Sequence, residues 1–80
     1  MKLPRDLDGE DLAVLLRRFG YVTTRQTGSH IRLTTNQGGE HHITIPRHSP
    51  LRVGTLNAIL RDVSEHLGID RNSLITSLFA

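Results

Sequence analysis

Eighty residues, 36% of them hydrophobic, fit a single small domain over residues 1–80, close to the size at which one core only just suffices. The absence of cysteine excludes a disulfide framework and a thiolate metal site, and suits a reducing cytoplasm. No apolar run approaches the ~20 residues of a membrane helix, and Met1–Asp6 has no apolar core of an export signal, so a soluble cytoplasmic protein is expected.

The net charge of +2 hides an asymmetry. Four of the eight acids (Asp6, Asp8, Glu10, Asp11) lie in the first eleven residues. From Arg17 to Arg61 there are seven arginines against one acid, Glu40. Nine of the ten basic residues are arginine, whose planar fork suits bidentate phosphate contact. A face directed at RNA or DNA is expected.

Leu12, Leu15, Leu16 and Phe19 fall at i, i+3, i+4 and i+7, the apolar stripe of a helix. Asp8 is its expected N-cap, with Leu7 and Leu12 as a hydrophobic staple. Glu10 and Asp11 suit the positive end of the helix dipole, and Arg17 and Arg18 the negative end. Gly20 is the expected stop.

Three strand-like runs follow: Tyr21–Gln26, His30–Thr35 and Glu40–Ile45. Thr27-Gly28 turns the chain between the first two. Asn36-Gln37-Gly38-Gly39 makes a loop, and Pro46 ends the third run. A loop from Arg47 to Gly54 leads to a helix carrying Leu56, Ile59, Leu60, Val63 and Leu67, with Thr55 as N-cap and Gly68 as stop. Asp70 caps a last short helix with Leu74, Ile75, Leu78 and Phe79. The expected fold is α+β, in the order α-β-β-β-α with a short C-terminal helix. Its three-stranded antiparallel sheet has one face under the helices and one open.

Strand parity assigns faces. His30, Arg32 and Thr34 share one side of their strand, opposite Ile31 and Leu33. His42 and Thr44 oppose Ile43 and Ile45, and are expected on the face that carries His30 and Arg32. An imidazole beside a guanidinium on an open face can hold a phosphate and move a proton. His41 falls on the apolar side. Adjacent His41 and His42 therefore point apart and cannot share an ion, so neither metal nor cofactor is expected.

These residues resemble the HicA-type mRNA interferase toxins of bacterial toxin–antitoxin systems. The likeness spans nearly the whole chain. It runs through Arg17-Arg18-Phe19-Gly20-Tyr21, Arg25-Gln26-Thr27-Gly28-Ser29-His30, Ile43-Thr44-Ile45-Pro46-Arg47-His48, Gly54-Thr55-Leu56, Ile59-Leu60 and Leu67-Gly68-Ile69. The Gly-Ser-His and Pro-x-His elements, with Gly-Thr-Leu at the head of the long helix, form a fairly specific combination. The loop Ser49–Val53 departs from the lysine-rich character of the family, with Arg52 as the available substitute.

The resemblance implies a fold like a double-stranded RNA-binding domain and a ribonuclease with His30 as catalytic residue. It also implies mRNA as substrate, arrest of translation and growth, and a cognate HicB-like antitoxin that binds the toxin and covers its active site.

Cutting RNA without metal needs a base for the 2′-hydroxyl, an acid for the leaving 5′-oxygen, and cations on the phosphate. Histidine, with an ordinary pKa of ~6.5, serves as either acid or base near neutrality. His30 is the candidate for proton transfer and Arg32 for stabilising the phosphorane. Ser29 and the Gly28 backbone are candidate phosphate donors. His48 is a phosphate contact, a second acid/base, or a loop-structuring residue. Arg17, Arg18, Arg25 and Arg47 are candidates for positioning the RNA backbone, and His42 for lining the RNA face. Tyr21 either stacks on a base or finishes the first helix. His66 reads as a surface helix residue without a role. Two other functions fit the same residues: a non-catalytic RNA-binding module, and a protein-interaction domain whose basic face docks an acidic partner.

Overall fold

The computed structural model describes residues 3–80. The chain forms α1 (Gly9–Leu15), which tightens into a 3-10 turn over Leu16–Phe19. There follow β1 (Val22–Gln26), β2 (His30–Thr35), β3 (His41–Pro46), α2 (Val53–Leu67) and α3 (Arg71–Phe79). The class is α+β: a helix, an antiparallel sheet in the order β1-β2-β3, then two helices.

Asp8 starts α1 from an extended conformation, and its N–H donates to the Asp11 carboxylate at 3.1 Å. Leu12 and Leu16 are fully buried, and Leu15 and Phe19 pack against the core, so the stripe holds. Gly9 has no room for a side chain. A Cβ there would lie 2.2 Å from the Pro46 carbonyl oxygen, so α1 reaches β3 only because the residue is glycine. Gly20 ends the helical segment at φ 79°, and the Tyr21 N–H closes back on the Leu16 carbonyl. Tyr21 is fully buried, which decides between its two readings: it finishes the helix end and is not available to a base.

Ile31 and Leu33 of β2 pair with Ile45 and Ile43 of β3 and face the helices. They form one buried cluster with Leu12 and Leu16, with Leu56, Leu60 and Val63 of α2, and with Leu74, Ile75 and Leu78 of α3. Such burial is worth roughly 1.5–3 kcal/mol for each large side chain. The opposite face of the sheet is bare, as the alternation requires.

Several boundaries differ from expectation. β1 starts at Val22 rather than Tyr21, whose N–H is used by the helix end. β3 runs from His41 through Pro46. The largest shift is in α2, which begins at Val53 behind Arg52; Thr55 lies inside its first turn and is not the N-cap. The cause is Leu51, which is buried and donates its N–H to the Leu7 carbonyl at 2.8 Å. That anchor fixes where the helix can start, without a capping side chain.

His66 does have a role. Its Nε2 lies 3.0 Å from the carbonyls of both Gln37 and Gly39. Carbonyls only accept, so Nε2 carries the proton and ties the β2–β3 loop to α2. The ring stacks on His41 at a centroid distance of 4.2 Å. His41, on the helix side of β3 as its parity requires, reaches the Asp62 carboxylate through Nε2 at 3.2 Å. Its Nδ1 meets the Tyr21 hydroxyl at 2.7 Å.

Candidate active site

The site is built around the β1–β2 turn. Gln26 pairs with Ile31, leaving Thr27, Gly28 and Ser29 to reverse the chain. No residue of this turn has a positive φ, so it is not the mirror-image hairpin turn that a glycine usually signals. The Thr27 side chain closes it instead: its Oγ1 accepts from the His30 N–H at 3.1 Å and the Ser29 N–H at 3.3 Å. Arg47 braces the turn from outside. Its N–H donates to the Ser29 carbonyl at 2.8 Å, and its guanidinium donates to the Thr27 carbonyl at 3.1 Å and pairs with Glu10.

His30 leaves this turn on the open face of the sheet. Its Nδ1 lies 3.0 Å from the Ser29 hydroxyl. Its Nε2 has no partner among the described residues and faces solvent. Arg32 stands two residues on, and Thr44 of β3 lies directly across from Arg32.

Arg25 joins them through a fault in the sheet. Val22 and Thr23 pair with Thr34 and Leu33, but Arg25 pairs with Arg32, so Thr24 is an extra residue in β1. This is a β-bulge, and it moves β1 by one residue of phase. In an unbroken ladder Thr24 would oppose Arg32, and Arg25 would oppose Ile31 on the helix side. The Thr24 hydroxyl holds the bulge through the Thr34 hydroxyl at 2.9 Å and the Arg32 carbonyl at 3.4 Å.

The result is an open cleft of about 230 Å³ lined by Arg25, Thr27, His30, Arg32 and Thr44. No acid lines it, and neither guanidinium has a hydrogen bond or ion pair among the described residues. Two cations side by side without a counter-ion repel each other and attract anions. A phosphate between them would accept charge-assisted hydrogen bonds with the imidazole beside it.

The other candidates from the sequence lie apart from this cleft. His42 shares the open face but pairs with Thr34, four residues along β2 from His30, about 13 Å away at strand rise. Its ring is held by the Thr34 hydroxyl at 2.7 Å and the Glu40 carboxylate at 3.1 Å. His48 sits in a second cleft of about 300 Å³ with Glu10, Arg47 and Ser49, which meets the turn at Gly28. Thr24 and Thr27 were not foreseen. A Thr-Gly-Ser run between strands is a signal for a hydroxyl-closed turn, whereas a bulge at Thr24 has no mark in the residues themselves.

A small α+β protein with a bare sheet face that carries an imidazole beside two unpaired arginines presents a surface suited to an anion. Residues 9–64 match the family model of the HicA toxin of bacterial toxin–antitoxin systems. The chain belongs to the HicA toxin family, and is thus the toxin of such a system, with an antitoxin as its partner. Neither a curated protein nor a solved structure matched it. No helix among the described residues is long and apolar enough to cross a membrane.

Proposed function

We propose that this toxin is an mRNA interferase: a single-domain endoribonuclease that cuts mRNA in the cytoplasm without a metal, so arresting translation and growth. A HicB-like antitoxin neutralises it in a hetero-oligomeric complex. The observation that carries this reading is the free Nε2 of His30, opening onto an acid-free cleft between Arg25 and Arg32. The α-β-β-β-α order supports a fold like that of double-stranded RNA-binding domains, which read RNA by shape and 2′-hydroxyls.

In the proposed reaction the 2′-hydroxyl attacks the adjacent phosphorus while its proton passes to Nε2 of His30. The bond from phosphorus to the 5′-oxygen breaks, leaving a 2′,3′-cyclic phosphate and a 5′-hydroxyl. Arg32 and Arg25 hold the phosphorane oxygens as charge develops. Ser29 orients the ring through Nδ1. His48 is the candidate acid for the 5′-oxygen, and Arg17 and His42 bear on the RNA further out, whereas the Arg18 guanidinium is held by the Ser77 carbonyl of α3. Arg47 acts by fixing the turn.

The test is incubation of labelled RNA in EDTA with the parent and with His30→Ala. We expect the parent to give cyclic-phosphate and 5′-hydroxyl ends, and the variant to be slower by at least about 100-fold. Equal rates would remove His30 from the mechanism. Absence of cleavage by the parent, with RNA still bound, would make the protein a non-catalytic RNA binder.

A further inference from the structure

Three glycines of the chain differ in why they are glycine. Gly9 is required by the Pro46 carbonyl, and Gly20 by its positive φ. Gly28 is required by neither: its φ is ordinary, and a Cβ would meet nothing within 4 Å. Its N–H makes no hydrogen bond within the described residues, although every other N–H from Thr27 to His30 is used. The bare, unpaired backbone at the tip of the turn separates two clefts. One is the His30 cleft, which includes Thr27. The other is lined by Gly28 itself with Glu10, His48 and Ser49.

We propose that the RNA strand crosses the turn over Gly28, from the His30 cleft into the His48 cleft, and that the second cleft holds the nucleotide next to the scissile phosphate. This rests on the ribonuclease reading and extends it to a second subsite. Glycine lets a polynucleotide backbone approach the chain closely. The free Gly28 N–H donates to the passing phosphate. The second cleft carries Asp8 as well as Glu10, and its guanidinium, Arg47, is already spent on Glu10, so the phosphate stays at the rim and the sugar and base enter. The second cleft, at about 300 Å³, falls at the lower end of the range for small-molecule sites and is open on one side for the strand to leave. His48 then borders the substrate from the side opposite His30.

The experiment is a titration of the full-length ¹⁵N-labelled protein with two fully 2′-O-methylated RNAs, which have no 2′-hydroxyl to attack. One is a mononucleotide with a 3′-phosphate and one a hexanucleotide. We expect the mononucleotide to move the amide signals of His30 and Arg32 only. The hexanucleotide should also move those of Glu10, Gly28 and Ser49. Gly28→Val, with an unchanged melting temperature, should weaken hexanucleotide binding about tenfold and leave mononucleotide binding unchanged. A hexanucleotide that moves only the His30 set would overturn the second subsite and leave the ribonuclease reading intact. So would parent-like binding by Gly28→Val. If neither RNA moves any signal, the RNA-directed reading falls, and the crossing with it. The parent spectra decide the matter even if Gly28→Val does not fold.

Discussion

Arg25 and Arg32 face each other directly across adjacent antiparallel strands, with no acid between them. Opposed like charges cost stability, on the order of 0.2–1 kcal/mol for a cross-strand pair. A fold that keeps them has another use for the charge. Arg25→Gln should therefore raise stability by a few tenths of a kcal/mol while weakening RNA binding. The slope of log affinity against log salt should fall by about 1, as expected for one lost phosphate contact. Denaturant unfolding and filter binding over a salt series read the two effects. An unchanged slope would mean that Arg25 is not on the phosphate.

Ser29 touches His30 only through Nδ1, at 3.0 Å. It is a positioning residue, because the free nitrogen is Nε2. Ser29→Ala should lower kcat by up to about tenfold, the worth of one net hydrogen bond, with KM little changed. A raised KM alone, with kcat intact, would put Ser29 on the substrate instead.

The parts of this molecule that follow local periodicity were legible in the residues. Alternation over His30–Thr34 and Ile43–Ile45 placed His30, Arg32, His42 and Thr44 on one open face, where they are found. The stripe from Leu12 to Phe19 and the caps at Asp8 and Asp70 read correctly for the same reason. What was not legible depends on distant partners. Every residue of β1 is exposed, so its faces carry no apolar contrast, and the phase of Arg25 is decided by a bulge that only pairing with β2 reveals. The start of α2 is decided by Leu51 bonding to Leu7, and the role of His66 by a loop nearly thirty residues earlier. Arg47 looked like one more phosphate ligand because Glu10, its partner, is 37 residues away.

Gly9 tests the closeness of α1 to the sheet. A Cβ 2.2 Å from a backbone carbonyl cannot be relieved by a side-chain rotation. Gly9→Ala must therefore displace α1 or β3, at about 2–3 kcal/mol, the usual scale of overpacking. For a domain of this size that is a fall in Tm of roughly 10–20 °C. Calorimetry of the variant checks it, and a Tm within two or three degrees of the parent would show that α1 sits further from Pro46.

His66 holds the loop at Gln37 and Gly39 with one N–H. His66→Ala should cost about 1–2 kcal/mol and speed hydrogen exchange at Gly38 and Gly39, leaving RNA cleavage as in the parent because the loop is remote from His30. A loss of cleavage with normal exchange would tie this loop to the substrate.

Tyr21 gives an optical probe of the core, because it is the only tyrosine and there is no tryptophan. Burial, and secondarily the Asp62 carboxylate, push its hydroxyl from 10.0 up to about 12. The carboxylate also fixes the direction of the relay: Asp62 accepts from Nε2 of His41, so Nδ1 accepts from the Tyr21 hydroxyl, which must stay protonated. The folded-state value lies above the unfolded one. The stabilisation is thus fully present below pH ~10 and is lost as pH rises through about 12. Absorbance near 295 nm should titrate with a midpoint of about 12 in the folded protein and near 10 in urea. Asp62→Asn removes the charge but leaves the burial, so its midpoint should fall only part of the way toward 10. A parent midpoint near 10 would mean that the hydroxyl reaches solvent and that the link from Tyr21 to His41 is open.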